Sequence, residues 1–313
     1  MKVLVTGGAG FIGSHLVERL VELGGDVSVI DNLSVSSCNL FLLKKLGVSI
    51  NICDISRFDE IKGLFKGVDI VFHLAAMNRA QRSIENPLLA NEYNITGTLN
   101  VLEASRRAGV SRFINISSSS VYAGVRDKLL SEDMPLSPPH PYGVSKLAGE
   151  HYARIYYELY GLPYVTLRYF SVYGPRQLGD IDKAGVIAKF IHCAFSNKPL
   201  TIYGNGEQKR NFTYVSDVVE VTIKAGETEG AKNKIINLAN PNEASVNYLA
   251  SLIQKILGRD LKIEYLPPIS GDPERNPADI SRLKGIFGYI PKVDFEEGIR
   301  KTIDWYSEKA SSI

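Results

Sequence analysis

The sequence predicts an α/β fold, a doubly wound parallel sheet with a smaller C-terminal α/β lobe. Three observations carry this expectation. An apolar strand near the N-terminus is broken by glycines and runs into a helix. Strand and helix signals then alternate as far as residue 173, and beyond it the elements shorten and loops take a larger share. The division is therefore a first domain at 1–173 and a lobe mainly at 174–313, with segments free to return to the first domain. With 313 residues, 44% hydrophobic and 22% charged, the chain has apolar material for a full core.

The first strand is Val3-Leu4-Val5, and Gly7, Gly8, Gly10 and Gly13 follow it at once. Phe11, Leu16, Leu20 and Leu23 then supply the apolar positions of a helix, with Glu18, Arg19 and Glu22 among the polar ones. Two spacings coexist: Gly8, Gly10, Gly13 as G-x-G-x-x-G, and Gly7, Gly10, Gly13 as G-x-x-G-x-x-G. A dinucleotide pyrophosphate needs this context, because the backbone must approach it without side chains and a helix N-terminus offers free N–H groups and a partial positive charge. The next strand, Val27 to Ile30, ends at Asp31. A carboxylate there accepts from both ribose hydroxyls and repels a 2′-phosphate, so NAD is expected rather than NADP. The first domain thus reads as a Rossmann-type NAD-binding unit.

A polar loop, Asn32 to Ser37, leads to a strand at Val48 to Cys53, closed by Asp54. Asp54 reads equally as a strand-end residue meeting an adenine edge and as the N-cap of the next helix. Ile70 to Ala76 is a further buried strand whose small final residues let a cofactor lie across it, and His73 within it reads as a satisfied core histidine. Asn91 to Gly109 reads as one long amphipathic helix closed by its glycine. Arg112 to Ile116 is a strand opening into Ser117-Ser118-Ser119-Ser120, and a proline-rich loop follows up to Pro141. Tyr142 to Tyr160 is a second long helix, ended by Gly161, and Tyr164 to Tyr169 a strand.

Tyr142 and Lys146 stand four positions apart, one turn along one helix face. A free phenol has a pKa of about 10 and is a poor base at neutral pH. A neighbouring ammonium and a nicotinamide cation both stabilise the phenolate, and a serine at the preceding strand end can hydrogen-bond phenol and substrate. Such a trio suits removal of an alcohol proton while the carbon gives up hydride.

Thr6 to Gly13, the serine run before Val121-Tyr122, Tyr142-x-x-x-Lys146 and Leu167-Arg168-Tyr169-Phe170 together resemble the extended short-chain dehydrogenase/reductase family, and within it the nucleotide-sugar 4-epimerases of the UDP-glucose/UDP-N-acetylglucosamine type. The resemblance continues through Ile202-Tyr203-Gly204, Arg210-Asn211-Phe212 and Ala278-Asp279-Ile280-Ser281. It implies that Phe11, Ile12, Asp31, Asn32, Asp54, Ile55, Leu74, Ala75, Ala76, Asn94, Tyr142, Lys146 and Tyr169 contact NAD, beside the glycines. It makes Ser118 the catalytic serine, with Ser119 and Ser120 able to share its work, and gives Val186, Tyr203 and Arg210 to the nucleotide of the substrate. Arg82-Ser83 resembles a sugar-contacting loop of N-acetylhexosamine epimerases. Three positions depart from the pattern: Ser171 replaces a usual Asn, Asn211 a frequent Asp, and Ile269-Ser270 a usual Arg before Gly271-Asp272, leaving Arg275 as the group to reach the diphosphate.

The implied activity is a UDP-hexose 4-epimerase working through a transient 4-keto sugar and a reduced cofactor that stays bound. The 4,6-dehydratases of the family need an acidic pair after the catalytic hydroxyl, and the UDP-glucuronate decarboxylases a Glu before the Val-Tyr pair. Here those places hold Ser119 and Ser120. Asn276, where hexose-restricted epimerases commonly carry Tyr, and Arg82-Ser83 lean towards N-acetylated sugars as well. A dinucleotide-binding sensor is the non-enzyme alternative, opposed by the presence of Tyr142 and Lys146. The two long helices match those that pair in family homodimers. A net charge of +2 argues against nucleic acid and acidic membrane as partners. Cys38, Cys53 and Cys193 have no metal-ligand spacing and read as small buried hydrophobes of a reducing compartment, so no metal is expected. Glycines interrupt the N-terminal apolar run before a signal sequence could form, so the expected location is cytoplasmic.

Overall fold

A computed structural model describes residues 1–35, 37–125, 128–177, 184–268, 275 and 277–310, the side chains of 309 and 310 excepted. The expectations placed on Ile269, Ser270, Gly271, Asp272 and Asn276 lie outside these residues. The first domain runs β1 (Lys2–Thr6), α1 (Phe11–Glu22), β2 (Asp26–Asp31), α2 (Leu40–Lys45), β3 (Ser49–Ile52), α3 (Phe58–Ile61) and β4 (Ile70–His73). It continues with α4 (Ala80–Glu85), α5 (Pro87–Asn91), α6 (Gly97–Ala108), β5 (Arg112–Ser118), α7 (Pro141–Tyr160), β6 (Tyr164–Tyr169) and β7 (Val172–Tyr173). Beyond these come α8 (Val186–Phe195), β8 (Leu200–Tyr203), β9 (Lys209–Arg210), β10 (Thr213–Tyr214), α9 (Val215–Glu227) and β11 (Lys234–Leu238). The chain closes with β12 (Ala244–Ser245), α10 (Val246–Leu257), β13 (Ile263–Leu266), α11 (Ser281–Phe287) and α12 (Phe295–Ala310).

Seven parallel strands form one sheet in the order β11-β6-β5-β4-β1-β2-β3. Alternate side chains of each strand face opposite ways, and both faces are covered. Along β1, Val3 and Val5 join the core that also holds Leu16, Val17 and Val218, whereas Leu4 joins Val71, Leu102 and Phe113 on the other side. That is the doubly wound arrangement. Beyond residue 173, β11 pairs with β6 from Lys234↔Val165 to Leu238↔Tyr169, and α9 packs on α1. The lobe proper contains the small pairs β13·β8 and β12·β9, with α8 and α10 packed together.

Three local expectations are corrected. The strand after the polar loop is shorter than Val48 to Cys53, covering only Ser49–Ile52. The helix expected from Asn91 to Gly109 is interrupted by a π-helical turn at Glu92–Thr96 before α6 continues to its left-handed cap at Gly109, φ 71°. The turn carries Asn94 inward, where its amide donates to the Met77 carbonyl at 3.0 Å and to Ser145 Oγ at 2.9 Å and accepts from the Met77 N–H at 2.7 Å. Of the three cysteines only Cys193 is buried; Cys38 is exposed and Cys53 half-buried, because the first lies between the polar loop and α2 and the second past the end of β3. Among the described residues no helix is long and apolar enough to cross a membrane.

Candidate active site

The C-terminal ends of β1, β2, β4, β5 and β6 open into one cleft of about 460 Å³. At its floor Gly7 turns the chain at φ 72° and donates its N–H to the Ile30 carbonyl at 2.8 Å. A Cβ on Gly7 would stand 2.7 Å from the Ala75 nitrogen, and one on Gly13 2.1 Å from the Gly7 carbonyl oxygen, so α1 sits directly on the turn. Helix α1 starts after Gly10 with no side-chain cap and no acid in its first turn. Its first N–H groups are thus left to face an anion.

Asp31, at the end of β2, accepts from the Ala9 N–H at 2.9 Å and the Leu33 N–H at 2.8 Å, one bond to each oxygen. Burial lifts its carboxyl above the usual carboxylate range despite those bonds. Asp54 accepts from Asn32 Nδ2 at 2.9 Å and from the Ser56 N–H at 2.9 Å. Burial works against its charge, but the bonds from Ser56 and Asn32 and the Arg57 charge outweigh it and hold the carboxyl below its ordinary value. Asp54 is not a helix cap, since Arg57 is the residue that precedes α3. Leu74, Ala75 and Ala76 lie across the end of β4, and His73 beneath them is held by Thr6 Oγ1 and Thr98 Oγ1, each at 2.8 Å. Burial first, and the Lys146 charge second, push that imidazole down to about 3, as befits a satisfied core histidine.

Tyr142 enters on the first turn of α7, whose N-cap His140 accepts the Gly143 N–H at 3.1 Å and stacks on the Tyr142 ring at 6.2 Å. The Ser118 side chain, at the end of β5, lines the cleft beside the phenol and favours its ionised form. Lys146, one turn further along α7, donates to the Ile116 carbonyl at 2.8 Å and has two further N–H bonds for the cleft it lines. Burial lowers its ammonium to about 8, with Glu150 opposing. Burial raises the Tyr142 pKa, and Ser118 and the Arg79 guanidinium oppose it.

The cleft thus gathers Gly7, Gly10, Phe11, Ile12, Gly13, Asp31, Asn32, Asp54, Ile55, Leu74, Ala75, Ala76, Ser118, Ser119, Tyr142, Lys146, Tyr169 and Ser171. It does not gather Asn94, Arg82, Ser83, Val186, Tyr203, Arg210 or Arg275 among its lining residues. Asn94 and Ser83 lie beneath it; Ser83 Oγ accepts the Tyr142 N–H at 3.0 Å and donates to the Ala80 carbonyl at 2.6 Å, leaving no free hydroxyl for a sugar. Val186 begins α8, Tyr203 ends β8 with Lys189 Nζ 5.8 Å from its ring centre, and Arg210 lies in β9, all on the lobe. Arg275 is not turned to the cleft but pairs with Glu243, Nη2 to Oε2 at 2.6 Å. Asn211 is structural, bonding the Asn240 carbonyl at 2.9 Å and the Ala278 N–H at 3.2 Å. Arg79, Tyr93 and Gln177 also line the cleft, and no motif in the sequence points to them. No cluster of His, Cys, Asp or Glu able to hold a metal occurs among the described residues.

Residues 3–239 match the NAD dependent epimerase/dehydratase family. The UDP-glucose 4-epimerase of Thermotoga maritima, solved with UDP-glucose, is 35% identical with a TM-score of 0.93, covering 99% of this chain and 100% of that one. The UDP-glucuronate 4-epimerase of Thermodesulfobacterium geofontis is 36% identical over 99% of this chain and 97% of its own. A dTDP-D-glucose 4,6-dehydratase of Mus musculus is 35% identical over 97% of this chain and 88% of its own. A decarboxylase stands at the same level, and solved neighbours include complexes with NAD.

Proposed function

The chain belongs to the NAD dependent epimerase/dehydratase family, and from that premise we propose that it is a UDP-hexose 4-epimerase interconverting UDP-glucose and UDP-galactose. The residues present fit NAD: an uncapped α1 N-terminus for the pyrophosphate, Asp31 with free lone pairs for the ribose hydroxyls, and Lys146 with free N–H bonds beside them. Bound there, NAD supplies a nicotinamide able to take hydride from a sugar carbon and give it back.

The chain's own part is the proton. Tyr142 receives it from the C4 hydroxyl, and the Ser118 hydroxyl bonds both the phenol and the substrate oxygen so that the transfer runs along a fixed line. Lys146 holds its charge behind that pair and Tyr169 closes the cleft wall. What supports the reading is Ser118 beside Tyr142 in a cleft where, among the described residues, the neighbouring Ser119, Ser120 and Ser171 bring hydroxyls and no carboxylate. With serine hydroxyls and no carboxylate next to Ser118 and Tyr142 among the described residues, the ketone's productive course is reduction from its other face after the sugar has turned over.

The N-acetylated sugars are a weaker second substrate pair. Of the residues that pointed to them, Ser83 is engaged with the Tyr142 backbone. Exposed Val144, Tyr157 and Leu159 on α7 support pairing of two copies through that helix, which sedimentation of the purified chain reads directly. The central test is incubation of the NAD-loaded protein with UDP-galactose and assignment of the product by NMR. A C4-inverted product of unchanged mass supports the reading. Loss of water or of carbon dioxide from a panel of UDP-sugars moves the chain to the dehydratases or decarboxylases. UDP-GalNAc in the same assay decides whether acetylated hexoses are accepted.

A further inference from the structure

Arg79 is the residue that the reaction above leaves unused. It precedes α4 with φ 85° and ψ 128°, a left-handed conformation that is costly for a side chain carrying a Cβ. Two bonds hold it there. Its carbonyl accepts the Ser83 N–H at 3.3 Å, and Ser83 Oγ accepts the Tyr142 N–H at 3.0 Å, so the loop is tied to the base of α7. The guanidinium spans the cleft: a Cβ built on Gly185, at the start of α8, would lie 3.1 Å from its Nη1. Tyr142 lines the same cleft, and burial pushes the guanidinium below its ordinary value. The carboxylates of the cleft, Asp31 and Asp54, stand at the β2 and β3 ends. From β4, which Arg79 follows, β2 and β3 are two and three strand spacings away, ~10 and ~14 Å.

A largely desolvated cation that no carboxylate of the described residues pairs with is expensive unless a ligand brings one. Tyr142 must meet the oxygen on C4, and C6 hangs from the adjoining carbon C5. We infer that Arg79 is a specificity residue for an acidic hexose, its guanidinium pairing with a carboxylate at C6, so that the site takes a UDP-hexuronate ahead of the neutral UDP-hexose. This inference rests on the 4-epimerase reading. Guanidinium and carboxylate match as a two-pronged pair, which a neutral hydroxymethyl group cannot provide.

The experiment compares kcat/KM for UDP-glucuronate and UDP-glucose in the NAD-loaded wild-type chain and in Arg79→Gly. Glycine adopts φ 85° freely, so the variant loses the charge without losing the turn. Arg79→Lys, which keeps the charge but not the fork, is the companion. The expected result is a wild-type preference for UDP-glucuronate of at least tenfold, abolished in Arg79→Gly and only partly kept in Arg79→Lys. The dissociation constants of both sugars in the Tyr142→Phe background give the same ratio without turnover. An equal loss for both sugars in Arg79→Gly overturns the inference, since the guanidinium then serves the common diphosphate or the phenol. Turnover of UDP-glucose with none of UDP-glucuronate overturns it while leaving the epimerase reading intact. Turnover of neither removes that reading, and this inference with it.

Discussion

Replacing Glu150 by Gln tests whether a buried ion pair holds the catalytic helix to the sheet. Glu150 of α7 and Arg168 of β6 each keep only 2% of their side-chain surface exposed. The guanidinium meets the carboxylate in a fork, Nε to Oε1 at 2.9 Å and Nη2 to Oε2 at 2.7 Å. Its remaining arm bonds the Tyr122 hydroxyl and the Glu132 carbonyl, while Ser117 of β5 donates to Glu150 Oε1. Glu150→Gln keeps the volume and removes the charge, leaving Arg168 buried without a counter-ion. Breaking one side of such a pair costs about 3–5 kcal/mol. At roughly 2 °C per kcal/mol for a chain of this size, the melting temperature falls by ~6–10 °C. The companion Glu150→Leu/Arg168→Met removes both charges and recovers most of the loss, because a well-packed apolar pair avoids the desolvation of two ions. Thermal unfolding of the three proteins under one buffer is the assay. A loss below about 1 kcal/mol in Glu150→Gln, or a double variant no more stable than Glu150→Gln, refutes the reasoning.

Three further outcomes are expected. Tyr142→Phe retains NAD, seen by mass spectrometry of the cofactor released on denaturation, but loses turnover by ~10²–10⁴-fold; wild-type activity in this variant would remove the phenol from the mechanism. Gly13→Ala places a Cβ 2.1 Å from the Gly7 carbonyl oxygen and 2.8 Å from Gly8 Cα, so it loses bound NAD, whereas Gly63→Ala, with nothing within 4 Å, keeps it. His73, held to about 3 in the fold against about 6.5 when unfolded, is neutral in the native state at acidic pH. The unfolded chain takes up that proton first, so stability is full above pH ~6.5 and declines as the pH falls towards 3. Between pH 6.5 and 5 the loss is about 2 kcal/mol. Urea midpoints at the two pH values read it, and His73→Gln should lack this share; an equal drop in the variant contradicts the assignment.

The parts legible in the sequence are those fixed by neighbours along the chain. The turn from β1 into α1 needs glycine wherever a Cβ would strike backbone, and its spacing survives as a pattern. Tyr142 and Lys146 share a face because a helix puts them there. The unread parts are fixed by partners far along the chain. An arginine a few residues beyond a strand reads as surface charge, and nothing local announces that Arg79 adopts φ 85° under the tie between Ser83 and Tyr142. The π-helical turn at Asn94 has the apolar spacing of an ordinary helix. What selects it is the Met77 backbone, offering one donor and one acceptor to a single buried amide. Glu150 likewise looks like a solvated helix position until β6 sets Arg168 opposite.

These distant contacts converge on one helix face. On α7, Tyr142 is held by its N–H to Ser83, Ser145 by Asn94, Lys146 by the Ile116 carbonyl and Glu150 by Arg168, at successive positions of one buried stripe. Gly149 lies on the same stripe, and a Cβ there would meet Thr98 at 3.5 Å. The phenol therefore cannot follow a moving sugar. A reaction that returns hydride to the opposite face of a ketone needs this division, because the base must stay aligned with the oxygen in both orientations while the ring turns about it. The freedom has to come from the rest of the lining, where Ser119, Ser120 and Ser171 offer short hydroxyls to the sugar.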